Sequence, residues 1–374
     1  MRIIIVLYKD SERVGGSIRV AEVLARYLID KGVDVKFAFA YDGAGRLGEI
    51  FDGLCHYFGA SGRKDLKTWL EYRNFLENQK PSLVHYVDNV GWMMVASSFL
   101  SIRRVSHLHY RPDAGVNAGY KRYFTMRFVF SLSDGVIAIS NGAKNNLVEL
   151  CGVSKEKVHV VHNSVHSGYL SGSESSYLSR RGSVKIGMAV RVVKDKGVED
   201  AIRLLLHLPD KYYLVIAGDG PDREYMEEKA LVLGVLNRIE WLGSIRNISE
   251  LYSNIDFYAY MSWYEGFGLS VAEAMYCGVP VVGLLGDGEI SEEEYPLVTN
   301  CNSLLISRSK IGAFEVEPND KLLKALAKNI EDLENNEGKM LTMTSNAKVW
   351  VEQRFSEDRF GHGVVSVYER VLGP

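Results

Sequence analysis

The stretch Trp263 to Gly283, WYEGFGLSVAEAMYCGVPVVG, decides how the rest of the chain is read. Glu265 and Glu273 stand eight positions apart, with a glycine–aromatic–glycine turn (Gly266, Phe267, Gly268) between them. Leu269, Ala272 and Met275–Tyr276 then recur near helical spacing. Gly278 stands where a helix C-terminus takes a left-handed residue, and Pro280 blocks continuation. Val279 to Val282 is a short β-branched run, so the unit reads loop, helix, strand. Such a loop leaves the N–H groups of a helix start open, a ready seat for phosphate. Two carboxylates beside a phosphate are wrong in charge unless they accept hydrogen bonds from sugar hydroxyls. Glu273 also has a reading that needs no ligand, since Ser270-x-x-Glu273 is the pattern of a capping box.

The same stretch resembles the E-x7-E signature of the retaining glycosyltransferases of family 4, which have the GT-B architecture. The resemblance implies that Glu265 contacts the donor sugar. It implies that backbone N–H groups of Gly266, Phe267, Gly268 and Leu269 hold the donor diphosphate, and that Glu273 binds the ribose of the nucleotide.

A chain of 374 residues, 47% hydrophobic, can bury two ordinary cores. A net charge of -3 with 24% charged residues gives no reason to expect nucleic acid as a partner. No run approaches the roughly 18 apolar residues of a membrane span. The opening MRIIIVLYKD has too short an apolar core for a secretory segment and reads as a first strand. Cys55, Cys151, Cys277 and Cys301 are far apart and form no C-x-x-C pair, which fits a reduced, cytoplasmic protein.

Ile3 to Leu7 has the continuous apolar pattern of a strand buried on both faces of a parallel sheet. Gly15-Gly16 follows, then a helical pattern ending at Gly32 and a second strand over Val33 to Ala40, a βαβ opening. The G-x-G-x-x-G of a dinucleotide-binding enzyme is absent from the first turn. Gly15-Gly16 instead resembles the family 4 loop near the donor diphosphate. Further on, Leu66 to Asn78 and Val95 to Leu100 read as helices, and Leu83 to Val87 and Arg104 to Leu108 as strands. The last ends in His107-Leu108-His109. Two histidines sharing a strand face raise the question of a metal pair, but no third ligand has convincing spacing and no metal is expected. The resemblance places His109 facing the acceptor and the donor sugar. From Arg103 to Arg127 six bases (Arg103, Arg104, Arg111, Lys121, Arg122, Arg127) stand against Asp113 alone, interleaved with aromatics. Most of these read as core aromatics and solvated bases; the alternative is peripheral contact with the inner face of a membrane through residues 103–130.

Asn163-Ser164-Val165-His166 follows the family's P-N-G-V-D succession but departs from it at Ser164 and His166. The serine-rich Ser167 to Gly182 reads as a linker. The pattern then restarts with a strand over Val184 to Val190, the turn RVVKDKGVED and a helix over Ala201 to Leu208. The resemblance assigns Arg191 and Lys196 of that turn to the donor diphosphate, and the exit around Ile245 to the nucleobase. GT-B enzymes of this kind lack the D-x-D metal motif, and none occurs here. After Gly283 the likeness loosens, and whether Glu289 joins the donor site is left open.

The expected architecture is therefore α/β of the GT-B kind, with two Rossmann-like parallel-sheet domains facing a central cleft. Residues 1–170 would form an acceptor-side domain and 183–356 a donor-binding domain, with 357–374 crossing back to the first. The expected activity is retaining transfer of a sugar from a UDP- or GDP-sugar to a sugar, lipid-linked or small-molecule acceptor, without cofactor. The competing readings are a GT-B nucleotide-sugar epimerase and a non-catalytic donor-binding subunit.

Overall fold

The computed structural model describes residues 1–10, 16–43, 45–88, 90–110, 112, 120–170, 182–263, 265–286, 295–308 and 319–373. The chain divides into two compact units, Met1–Ser164 with Glu357–Pro374, and Val165–Ser356. Residues 165–170, expected with the first domain, belong to the second. Val165 is buried and its N–H donates to the carbonyl of Phe355 at 3.0 Å.

The first unit runs β1 (Arg2–Leu7), α1 (Gly16–Asp30), β2 (Asp34–Phe39), α2 (Arg46–Ile50), β3 (Cys55–Tyr57), α3 (Leu66–Gln79), β4 (Leu83–Val87), α4 (Gly91–Ser97), β5 (Arg103–Leu108), α5 (Tyr120–Ser131), β6 (Gly135–Ala138), α6 (Asn141–Glu149) and β7 (Val158–Val160). All its pairings are parallel, in the order β3-β2-β1-β4-β5-β6-β7. β1 shows why a continuous apolar run was needed. Ile3, Ile5 and Leu7 enter one core, and Ile4 and Val6 enter another on the opposite face.

The second unit runs β8 (Val184–Ala189), α7 (Val198–Leu204), β9 (Tyr212–Ala217), α8 (Arg223–Val232), β10 (Ile239–Gly243), α9 (Ser249–Asn254), β11 (Phe257–Tyr260), α10 (Leu269–Tyr276), β12 (Val281–Leu285), β13 (Leu304–Ser307), α11 (Asp320–Glu334) and α12 (Glu337–Arg354). Its strands are again all parallel, in the order β10-β9-β8-β11-β12-β13. In both sheets the winding reverses beside the first strand, between β1 and β4 and between β8 and β11. Ligands bind open α/β sheets at the carboxyl ends of the strands flanking such a point.

The last helix, α13 (Glu357–Leu372), returns to the first unit. Phe360, Val364, Val367 and Tyr368 lie in one core with Ile3, Ile5 and Leu7, and the Tyr368 hydroxyl meets His85 Nδ1 at 2.8 Å. Neither β3 nor β13 is announced as a strand by the sequence pattern. Both are edge strands, so each needs only part of the apolar signal of an interior strand. The helix expected over Val95 to Leu100 lies earlier, at Gly91–Ser97. Its Trp92, Met93 and Met94 supply the apolar face.

Candidate active site

The carboxyl ends of β8 and β11, adjacent at the reversal of the second sheet, carry the residues singled out from the sequence. After β8 the chain makes a turn whose backbone is pinned to the exit of β9. Val190 and Val192 donate N–H bonds to Ala217 and Asp219 carbonyls at 3.0 and 3.1 Å, and Asp222 Oδ2 accepts from the Lys194 N–H at 3.0 Å. Arg191 is exposed on this turn, and Lys196 closes it in a short 3-10 helix. Gly197 follows with φ of +67°, and a Cβ there would stand 2.0 Å from the Met261 carbonyl oxygen. Only glycine lets the turn lie against the segment leaving β11. The contact is reinforced by a 2.9 Å bond from the Trp263 N–H to the Asp195 carbonyl.

That approach brings Lys196 Nζ to 3.0 Å from Glu265 Oε2, with side-chain exposures of 23% and 22%. The Glu265 carboxylate also accepts from Ser262 Oγ at 3.3 Å and from the Gly266 N–H at 3.2 Å. Phe267 is buried, with its ring 5.2 Å from that of Phe355, so its side chain serves packing and only its backbone borders the loop. Gly268, at φ of +87°, precedes α10, and no side chain caps the helix start. The capping box therefore does not form, because Ser270 lies inside the first turn; its Oγ accepts from the Tyr258 hydroxyl at 2.7 Å. Glu273, 3% exposed, accepts from the Tyr252 hydroxyl at 2.8 Å. Ile245 is half-buried just beyond β10, two strands across the sheet from β8.

Several contributors to this site were not singled out from the sequence. Trp263 Nε1 donates to Asp200 Oδ2 at 3.3 Å, and Arg308 Nη2 meets the same oxygen at 2.8 Å. The Arg308 guanidinium also lies 4.0 Å from the centroid of the Trp263 ring. Asp200 and Arg308 are 2% and 1% exposed, and in the sequence both look like ordinary surface charges. Burial pushes the Asp200 carboxyl up and the Arg308 guanidinium down, and each partner opposes the other's shift.

In the first unit, His109 follows β5. Its N–H donates to Asp88 Oδ1 at 3.0 Å, and Asp88 itself holds a left-handed backbone with φ of +60°. The His107 and His109 rings lie 4.1 Å apart, and His85 from β4 lies 5.3 Å from His107. Neither ring nitrogen of His107 or His109 has a hydrogen-bond partner among the described residues. Burial lowers all three imidazole pKa values, to about 3 for His85 and well below the ordinary value for His107. The Asp88 carboxylate pulls His109 the other way. Among the described residues no group of three His, Cys, Asp or Glu side chains is arranged to hold a metal. Gly16 is exposed at the start of α1, while Gly15 lies outside the described residues, as do Glu289 and the acids at 292–294.

The basic stretch is less solvated than its composition suggested. Arg104 donates to the carbonyls of Leu132, Ser97 and Leu100 at 2.8, 3.1 and 3.3 Å, and Arg103 pairs with Asp134 at 2.9 Å. Arg127 is exposed, and so are Phe124 and Phe128, while Phe130 is buried. Arg111 and the side chains of Lys121 and Arg122 lie outside the described residues. No helix among the described residues is long and apolar enough to cross a membrane.

Two family models match the chain, Glycosyltransferase Family 4 over residues 14–168 and Glycosyl transferases group 1 over residues 174–294. An uncharacterized glycosyltransferase of Methanocaldococcus jannaschii, MJ1607, is 26% identical over 63% of this chain and 59% of its own length. The match thus spans less than two thirds of that relative. The capsular polysaccharide biosynthesis glycosyltransferase CapM of Staphylococcus aureus is 26% identical over 82% of both chains. Among solved structures, Anabaena Alr3699/HepE in complex with UDP and glucose superposes with a TM-score of 0.79 at 21% identity, covering 99% of this chain and 100% of that one. The fold is GT-B, with two parallel-sheet Rossmann-like domains of seven and six strands.

Proposed function

We propose, on the premise that this chain is a GT-B glycosyltransferase of the family 4 and group 1 type, that it moves a sugar from a nucleotide-diphosphate donor to an acceptor hydroxyl with retention at the anomeric carbon. The observation that carries the reading is the Lys196–Glu265 contact. A cation and a carboxylate arrive from the ends of two adjacent strands, beside an uncapped helix start, at the point where the second sheet reverses.

In this reading the bond between the anomeric carbon and the β-phosphate oxygen breaks, and the acceptor oxygen bonds to the same face of that carbon. The acceptor proton passes to the departing phosphate oxygen. Lys196, Arg191 and the N–H groups of Gly266 to Leu269 meet the charge left on the diphosphate. These groups supply the charge that a metal would otherwise supply, so the transfer is read as metal-independent. Glu265 accepts hydrogen bonds from the sugar hydroxyls, and Glu273, steadied by Tyr252, takes the ribose. Ile245 borders the base, and His109 is assigned to the acceptor. His109 is held neutral by its surroundings and so can accept a hydrogen bond from a hydroxyl.

UDP is the first nucleotide to try, given the UDP in the Anabaena structure, with GDP as the second. The name of the S. aureus relative supports a glycoconjugate acceptor, whether sugar or lipid-linked. Exposed Phe124 and Phe128, one turn apart on α5, support peripheral contact at a membrane face.

The test is a thermal-shift panel of UDP- and GDP-sugars, followed by turnover with sugar and lipid-linked acceptors. A donor that binds only the folded chain raises its melting point, by the equivalent of about 2.7 kcal/mol at a hundredfold excess over Kd. No shift with any member of the panel overturns the reading. Conversion of the donor without an acceptor would mark an epimerase, and binding without turnover a non-catalytic subunit.

A further inference from the structure

Trp263 is held from three sides. Its N–H reaches the Asp195 carbonyl beside Lys196, its indole N–H reaches Asp200 in α7, and its ring faces the Arg308 guanidinium just past β13. Arg308 Nη2 also donates to the Met261 carbonyl at 2.8 Å, at the start of the same segment. Two residues beyond Trp263 stands Glu265.

As a source of stability this buried pair is poor. Asp200 Oδ1 and Arg308 Nε and Nη1 have no hydrogen-bond partner among the described residues. Removing two charges from water is repaid only when their remaining polar atoms are satisfied as well, and apolar side chains of similar volume often do as well or better. What the pair supplies, and apolar replacements would not, is direction. A charged donor fixes Met261, and a carboxylate fixes the rotation of the Trp263 indole.

We infer that Arg308 and Asp200 are positioning residues for donor-sugar recognition, acting through Trp263 on Glu265. The inference rests on the donor-site reading above and deepens it. It also separates the sugar from the nucleotide, because Glu265 is assigned to the sugar and not to the base or ribose.

The test compares wild type, R308M, R308K and the double variant D200L/R308M, with UDP against UDP-glucose, and GDP against GDP-mannose, as paired calorimetric probes. The double variant is expected to fold, with a melting point at or above that of R308M. It should bind the bare nucleotide as wild type does, while affinity for the nucleotide sugar and kcat fall, by roughly 10²-fold in kcat for a misplaced site. R308K should restore part of the loss, since it keeps the charge but not the forked geometry. A merely structural pair would change melting without separating sugar from nucleotide. Wild-type kcat and sugar affinity in a folded double variant therefore overturns the inference while leaving the donor site intact. Failure of the wild type to bind either pair overturns the donor site itself, and the inference with it.

Discussion

Lys196 Nζ and Glu265 Oε2 lie 3.0 Å apart although the two residues come from different strand ends and are 69 positions apart in the chain. In the function proposed above, the donor diphosphate shares Lys196 with a carboxylate already seated beside it.

Replacing Glu265 or Lys196 by alanine should cost transfer about 10²–10³-fold, the loss seen when one preorganised charge-stabilising group is removed. Stability should fall far less than turnover, because water still reaches about a fifth of each side chain and screens the charge left behind. Steady-state turnover and thermal melting of each variant check both halves. Wild-type turnover in either variant withdraws the role assigned to that residue.

Gly197→Ala should damage both fold and site. Its φ of +67° and the 2.0 Å approach of a Cβ to the Met261 oxygen leave no room. A non-glycine residue in a left-handed conformation costs about 1–3 kcal/mol before the clash is counted. Urea denaturation should show at least that loss. An unchanged midpoint would mean that the turn does not lie against the exit of β11.

Tyr252→Phe removes a donor to the buried Glu273 carboxylate. A hydrogen bond to a charged group contributes about 1.5–3 kcal/mol, so a lower denaturation midpoint is expected, together with weaker nucleotide binding. Unaltered nucleotide affinity would separate Glu273 from the ribose.

The buried histidines predict an acid-labile fold. His85, His107 and His109 have folded pKa values below the ordinary 6.5, so the unfolded chain binds more protons as acid is added. The stability they contribute is full above pH 6.5. It falls as pH drops below that value and goes on falling toward about 3, where His85 protonates in place. Each such histidine contributes a slope of up to about 1.4 kcal/mol per pH unit. Melting points should hold from pH 7.5 to about 6.5 and then drop toward pH 4.5, and His107→Phe should flatten that fall. An equally steep profile in that variant would remove His107 from the account.

Phe124→Ser with Phe128→Ser should reduce flotation with anionic vesicles and leave turnover on a soluble acceptor unchanged. Wild-type flotation would dismiss α5 as the contact.

Much of this architecture could be read from residue order, because parallel sheets bury both faces of their interior strands. β1 and β11 are almost wholly apolar for that reason, and the glycines around Glu265 mark a turn no other residue type makes so easily. The edges β3 and β13 face a weaker requirement and so left a weaker trace. The polar interior was not legible at all. Asp200 and Arg308 are charges that any sequence reading sends to the surface, and only the tertiary contact explains them. Glu273 and Tyr252 are 21 residues apart with no local pattern joining them, and His85 meets His107 only because β4 and β5 are neighbours. Arg104 shows the converse error, since a base in a basic run turned out to cap carbonyls inside the unit.

The placement of α13 in the first unit has a consequence for biosynthesis. When residue 356 has left the ribosome, the second unit already has its whole chain. The first, although translated earlier, still lacks Phe360, Val364, Val367 and Tyr368, and His85 has no hydroxyl to meet. The portion encoded first is the last that can complete its core, and the apolar surface that receives α13 stays uncovered until that helix emerges, the interval in which chaperones would find it.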